Sequence, residues 1–338
     1  MPAIRVLVVD DSAFARKVLK AMLSDASGIE VVGAARDGLE ALEKISELAP
    51  DVITLDLMMP NLDGLGVLQN LPPDGPRVIV VSISDGSTEL GAAALQAGAL
   101  DIVRKPTALA TEQLYELRDE LVAKIRIAAA ARPARPAPLS KAPPGLLAET
   151  RHDIIVIGTS TGGPQAITRL LMALPAQVPV PIAIALHIPP GYTDALAARL
   201  DAGSDLDVRE AEDGLVLRPG LAVLARGGAH LEVVSRSEPP RVRLDHTLGA
   251  SQHAPSVDRL FESAVARFGG RVLGVVLTGM GSDGARGAGA IRAAGGTVLS
   301  ESEQSCVVYG MPRCIQEAGL ANAEAPIEAM AAEILRHL

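Results

Sequence analysis

Short apolar runs recur along this chain, spaced to leave room for one amphipathic helix between each pair. In the first third, strand-like stretches at Ile4–Val9, Glu30–Ala34, Val52–Leu55, Val78–Val81 and Asp101–Val103 are rich in β-branched residues. Helical patterns at Phe14–Leu23, Gly38–Leu48, Leu65–Leu71, Leu90–Ala97 and Glu112–Ala128 lie between and after them. Five βα units of this length predict a doubly wound parallel sheet of the flavodoxin-like order 2-1-3-4-5. Residues 131–145, ARPARPAPLSKAPPG, carry five prolines, three basic residues and almost nothing to bury, which predicts an extended, semi-rigid linker. A second α/β alternation begins near His152 and runs to Leu338, interrupted at 206–244 by a β-rich patch that reads as a hairpin region. The expected organisation is therefore two α/β domains, 1–127 and 151–338, joined by a linker at 128–150. The second sheet is expected to be mostly parallel.

Length and composition agree with this division. The chain has 338 residues, too many for one typical domain, and 48% of them are hydrophobic, enough for two cores. Charges or prolines interrupt every apolar stretch before the roughly 18 residues of a membrane span, so no membrane insertion is expected. The opening MPAIRVLVVDDS lacks a signal-peptide pattern, and Cys306 and Cys314 lack metal-ligand spacing. Both features point to a cytoplasmic protein. A net charge of −9, no Trp and only 2% aromatics argue against a nucleic-acid partner.

The first domain concentrates acids at strand ends. VLVVDDS places Asp10 and Asp11 after the first strand, and VITLDLMMP places Asp56 after the third. In the expected order these strands are neighbours, so three carboxylates converge in one crevice. Unpaired carboxylates that close repel one another, and a hard divalent cation such as Mg²⁺ relieves the repulsion through oxygen ligands. Ser82, after VIVV, and Lys105, in VRKP, would complete a site for a phosphoryl group, with the Lys105–Pro106 bond a candidate for cis. The competing reading is that strand-end acids simply cap the following helices.

The second domain has three apolar runs that each end in a member of a hydrolase triad. IIVIG (154–158) leads to Ser160, IAIAL (182–186) to His187, and VLGVVLTG (272–279) to Asp283. Carboxyl ends of parallel strands share one edge, so the three are placed to meet as nucleophile, base and orienter. GTSTG fits the G-x-S-x-G elbow, with the Thr161 amide as the natural oxyanion donor. Among six histidines, His187 alone follows a wholly apolar strand; His152 and His337 lie at domain ends, while His230, His246 and His253 lie in or near turns. LTGMGSDG also matches the dinucleotide pattern G-x-G-x-x-G, with Glu301 and Glu303 about 20 residues on. Against nucleotide binding, the Asp283 charge within the loop would oppose a pyrophosphate.

Two resemblances follow from these motifs. The DD pair, the lone strand-end Asp, the Ser and the Lys-Pro resemble the receiver domain of bacterial response regulators over residues 3–127. That implies Asp56 as phospho-acceptor, with the Met58 carbonyl joining Asp11 and Asp56 as Mg²⁺ ligands. Ile102 stands where many receivers carry a switch aromatic, which shifts the expected signal to the Ser82 loop and the Leu90–Ala97 face. IGTSTGG, LHIPPGYT, AEDGLVLRPG, APSVDRLFES, LTGMGSDGA and VVYGMPR resemble the chemotaxis protein-glutamate methylesterase (CheB) family. The resemblance spans essentially the whole chain. It implies a phosphorylation-regulated hydrolase of glutamate γ-methyl esters on chemoreceptors, with glutamine deamidation as a second activity. It also implies a chemotaxis histidine kinase as phosphodonor, no cofactor for hydrolysis, and Met280 as a second oxyanion donor. Four positions depart from the family pattern, Glu301, Ser302, Arg226 and Ala254, and are expected to bear on substrate contacts. The expected switch is a receiver that covers the catalytic edge until Asp56 is phosphorylated. The alternative is a phosphorylation-controlled binding module whose hydrolase half is inert.

Overall fold

The computed structural model describes residues 2–72, 74–82, 88–105, 111–131, 150–234, 239–247, 249, 251 and 253–338. Most of the proline-rich segment, Pro106, and the loop directly after Ser82 lie outside them. The chain divides into two compact units, Met1–Pro133 and Ala134–Leu338.

The first unit alternates β1 (Ile4–Val9), α1 (Ala13–Ser24), β2 (Ile29–Ala35), α2 (Gly38–Leu48), β3 (Val52–Leu55), α3 (Gly64–Asn70), β4 (Arg77–Ser82), α4 (Thr88–Gln96), β5 (Asp101–Arg104) and α5 (Thr111–Ala130). Its sheet has the order β2-β1-β3-β4-β5, and every strand pair is parallel. Parallel strands are covered on both faces, which is why Val6, Leu7, Val8, Ile53, Leu55, Ile79 and Val80 are all solvent-free. The helix starts are capped locally: Ser12, Asp37 and Asp63 accept from Ala15, Glu40 and Gly66 amides at 3.3, 2.9 and 2.7 Å. The cap of α1 is thus Ser12, not Asp10 or Asp11, and those two acids are left for other work.

The second unit contains β6 (Ile154–Thr159), α6 (Gly163–Ala173), β7 (Ile182–Leu186), α7 (Thr193–Gly203), β8 (Asp207–Glu210), β9 (Leu221–Leu224), β10 (His230–Val234) and β11 (Arg241–Asp245). It continues with α8 (Val257–Phe268), β12 (Val272–Val276), α9 (Ala285–Ala293), β13 (Thr297–Glu301), α10 (Met311–Glu317), β14 (Ala323–Ala325) and α11 (Ile327–His337). Seven of these strands form one parallel sheet ordered β14-β13-β12-β6-β7-β9-β8, while β10 and β11 pair antiparallel on their own. The β-rich patch is therefore only half a hairpin. β8 and β9 extend the edge of the main sheet in parallel; β9 (LAVL) is wholly apolar and buried, but the short, mostly polar β8 (DVRE) gives no local sign of this placement.

The switch point of this sheet lies at β6, with β7 on one side and β12 on the other. Ser160, His187 and Asp283 follow three adjacent strands. The packing that fixes β6 is tight at Gly158, where a Cβ would stand 2.1 Å from Val257 Cγ1, so α8 rides directly on the strand that leads to Ser160.

Candidate active site

The β6–α6 connection turns sharply because Gly162 takes φ +79°, a left-handed backbone that favours glycine. Gly163 N then donates to Ser160 O at 2.7 Å, closing the turn under the serine, which is 9% exposed. The loop after β12 backs onto the same turn: Ser160 N donates to Thr278 O at 3.1 Å, and a Cβ on Gly279 would lie 2.9 Å from Ser160 Cβ. Thr278 is the hub of this packing. Its carbonyl also accepts from Thr159 Oγ1 at 2.6 Å, and its own hydroxyl donates to Thr161 O at 3.2 Å and accepts from Val308 N at 2.9 Å. The Met280 amide donates to no acceptor among the described residues.

His187 Nε2 lies 2.8 Å from Asp283 Oδ2. The carboxylate is thus met by Nε2, leaving Nδ1 on the other side of the ring, the reverse of the serine-protease arrangement. Asp283 is itself gripped by the start of α8: Val257 N, Asp258 N and Ser256 Oγ donate to it at 2.8, 2.9 and 3.1 Å. Burial alone would push the Asp283 carboxyl up, but the His187 ring and the amides of Asp258 and Val257 outweigh it and hold it below the usual carboxylate range. Asp258 answers in kind, accepting from Gly284 N at 3.0 Å and Gly287 N at 2.8 Å. Its own carboxyl is raised by burial, with the neighbouring Asp283 charge adding to the effect.

Several supporting residues escape sequence reasoning. His230 is fully buried, and its Nδ1 accepts from Ser256 N at 3.1 Å, so it anchors the loop that holds Asp283. His253 stacks on His187 with ring centroids 4.5 Å apart. Both histidines sit in or beside turns, where no periodicity distinguishes them. Among the family departures, Glu301 takes a role inside the protein. Glu301 is 1% exposed and accepts from Thr278 N at 2.7 Å and Ser305 Oγ at 2.8 Å. Burial pushes its carboxyl up to about 7. Arg226 pairs with Glu210 at 2.8 Å, and Ala254 O accepts from Gly228 N at 2.9 Å. A buried Glu301 committed to a backbone amide is no partner for a ribose, and Asp283 is fully engaged within the protein.

In the first unit, carboxylate oxygens of Asp10, Asp11 and Asp56 lie within 4.8 Å of one another. Lys105 Nζ bridges two of them, 2.6 Å from Asp10 Oδ2 and 2.5 Å from Asp56 Oδ2. Ser82 Oγ donates to Asp56 Oδ1 at 3.3 Å, and Leu57 N to the same oxygen at 2.7 Å. Burial raises the Asp10 carboxyl and the Asp56 charge adds to this, although Lys105 opposes both. Ile102 is a solvent-free core side chain. Cys306 and Cys314 are both free thiols, and among the described residues no helix is long and apolar enough to cross a membrane.

Residues 155–334 match the family model of CheB methylesterase, and residues 6–117 match that of the response regulator receiver domain. The chain belongs to the CheB methylesterase family. A relative from Myxococcus xanthus (strain DK1622), protein-glutamate methylesterase/protein-glutamine glutaminase 5, is 60% identical over 99% of this chain and 98% of its own length. One from Geobacillus kaustophilus (strain HTA426), protein-glutamate methylesterase/protein-glutamine glutaminase, is 42% identical over 99% of each. Among solved structures, the Thermotoga maritima CheB methylesterase catalytic domain aligns with a TM-score of 0.54 at 37% identity, covering 55% of this chain and 99% of that one. The two-domain fold read from the sequence, with a parallel receiver sheet ordered 2-1-3-4-5 and a parallel α/β catalytic domain, is the fold observed.

Proposed function

We propose that this CheB-family chain hydrolyses glutamate γ-methyl esters, and deamidates glutamines, on the cytoplasmic parts of chemoreceptors. The triad is Ser160, His187 and Asp283. The observation that carries the reading is the 2.8 Å His187–Asp283 bond at the strand edge where Ser160 emerges from its glycine-flanked turn. Ser160 Oγ attacks the ester carbonyl while His187 Nδ1 takes its proton, and the Asp283 carboxylate stabilises the imidazolium. The amides of Thr161 and Met280 hold the oxyanion, a contribution worth roughly a hundred- to a thousandfold in rate per donor. The tetrahedral intermediate collapses, His187 returns the proton to methoxide, and methanol leaves. Water then attacks the acyl-serine with His187 again as base, freeing the glutamate; an amide substrate releases ammonia in the first step. Hydrolysis itself needs no cofactor.

Asp56 is the phospho-acceptor of the receiver, charged by a chemotaxis histidine kinase. Asp10, Asp11 and Asp56 form an all-oxygen set whose crowded negative charge suits Mg²⁺, and the exposed carboxylate of Asp11 leaves room for retained waters. When bound, the ion neutralises phosphoryl charge. Lys105 and Ser82 are then placed to pair with and hydrogen-bond the phosphoryl oxygens. The site of action is the cytoplasm, where receptor tails and kinase are found together. Methanol release from methylated receptor, measured with and without a small-molecule phosphodonor, tests both halves. An inactive chain under both conditions would leave a binding module as the better description.

A further inference from the structure

An imidazole tied at one nitrogen is only half positioned. The Asp283 bond is the one hydrogen bond of the His187 ring among the described residues, and it fixes Nε2. Rotation about χ2 of histidine is soft, so the opposite nitrogen, Nδ1, can still swing away from its target. The second constraint is a ring on the face: His253 lies with its centroid 4.5 Å from that of His187 and its plane tilted by 33°. His253 is solvent-exposed, whereas the His187 side chain is only 10% exposed. His253 therefore roofs the base on its outer side.

The placement is built into the loop. Ala254 O accepts from Gly228 N at 2.9 Å, and Ser256 N donates to buried His230 Nδ1 at 3.1 Å. At the next residue α8 begins, gripping Asp283 through the Val257 and Asp258 amides. One short segment thus holds both the orienter, bonded to Nε2 of the imidazole, and the ring that covers its face.

We propose that His253 is a positioning residue for His187: its ring, stacked on the face of the base, stops the imidazole from swivelling about its bond to Asp283. The inference rests on the reading of His187 as general base. It assigns the work to the aromatic face and not to the ring nitrogens of His253. A flat ring at this distance also attracts the cation formed when His187 takes the proton, an effect a phenyl ring supplies equally. A misplacement of about 1 Å at a reacting group can cost on the order of a hundredfold in rate.

The test uses the full chain with Mg²⁺ and a phosphodonor, following methanol release from methylated receptor. His253→Ala is expected to lower kcat by roughly ten- to a hundredfold with KM nearly unchanged. The thermal transition should stay in place, because the side chain is exposed. His253→Phe is expected to restore kcat to within about fivefold of the parent, whereas His253→Gln, polar but not aromatic, is expected to behave like Ala. Wild-type kcat in His253→Ala, or a Phe variant as slow as Ala, overturns the proposal; so does a change confined to KM. Ser160→Ala run alongside separates the two levels. If it too retains turnover, the triad itself is wrong. If it is dead while His253→Ala is fully active, only the positioning role is lost.

Discussion

Glu301 offers the sharpest quantitative test of the architecture beneath the elbow. Its carboxyl is solvent-free, lacks a cationic partner among the described residues, and is held at about 7 against an ordinary 4.5. A carboxyl raised in the folded state binds its proton more tightly there than in the unfolded chain. The ionisation therefore costs nothing well below pH 4.5, and its cost grows as pH climbs towards 7. With about 1.4 kcal/mol for each pH unit of difference, the wild type loses about 2–3 kcal/mol of stability from this group between about pH 5 and about pH 8. Glu301→Gln keeps an oxygen for the Thr278 amide but turns an NH₂ towards Ser305 Oγ, whose hydroxyl then has to redirect. That rearrangement costs about 1 kcal/mol, independent of pH. The expectation is thus a crossing: the Gln variant is equal or slightly weaker at pH 5, and about 2 kcal/mol more stable at pH 8. Calorimetry of the full chain, following the transition of the catalytic unit, should show the variant melting roughly 4–8 °C higher at pH 8. Parallel curves of Tm against pH for the two proteins would refute the buried, ionised carboxylate. A wild type that gains stability over the variant as pH rises would reverse the sign of the whole argument.

Ser160→Ala should abolish methanol release while leaving Asp56 phosphorylation and the thermal transition intact, checked by turnover and phosphate-incorporation assays. Asp283→Asn should cost about ten-thousandfold in kcat by favouring the wrong His187 tautomer. Because one of its atoms can no longer accept from the α8 amides, it should also lower the melting temperature, which a pure catalytic residue would not do. Chelation of Mg²⁺ should remove the response to a phosphodonor but leave basal turnover unchanged, as read by methanol release with and without EDTA. A chain beginning near Ala148 should turn over faster than the unphosphorylated full chain and ignore the phosphodonor; equal or lower turnover would speak against inhibition by the receiver.

The sheets were legible because parallel strands are apolar on both faces, so β6, β7 and β12 stand out as apolar runs, and β1 and β3 do so with one polar residue each, Arg5 and Thr54. The placement of candidate residues was legible for the same reason: Asp56, Ser160 and His187 directly follow their strands and Asp283 lies in the loop after β12, as expected from the sequence. The edge of the second sheet was not. DVRE in β8 gains its place only through pairing with β9, an interaction with no local signature in the sequence. His253 and His230 were passed over because they lie away from strand carboxyl ends, and contacts across loops leave no period to read. Glu301, in the acidic stretch SESEQ, was expected to bear on substrate contacts, yet it turns inward at the end of β13 and meets the Thr278 amide of the neighbouring loop. Only the three-dimensional course of the chain separates it from its exposed neighbour Glu303.

On the proposed triad, the grip of α8 on Asp283 makes the first turn of a helix and the orienter of a base one and the same set of bonds. A chain in which α8 has not formed would then lack the amides that hold Asp283, and with them a correctly held imidazole. Catalysis then reports on folding. Inactivation by heat or denaturant should track exchange of the Val257 and Asp258 amide protons, ahead of any loss of the central strands. For an enzyme whose substrate is another protein's surface, competence that switches on only with the finished fold is a form of quality control written into hydrogen bonds.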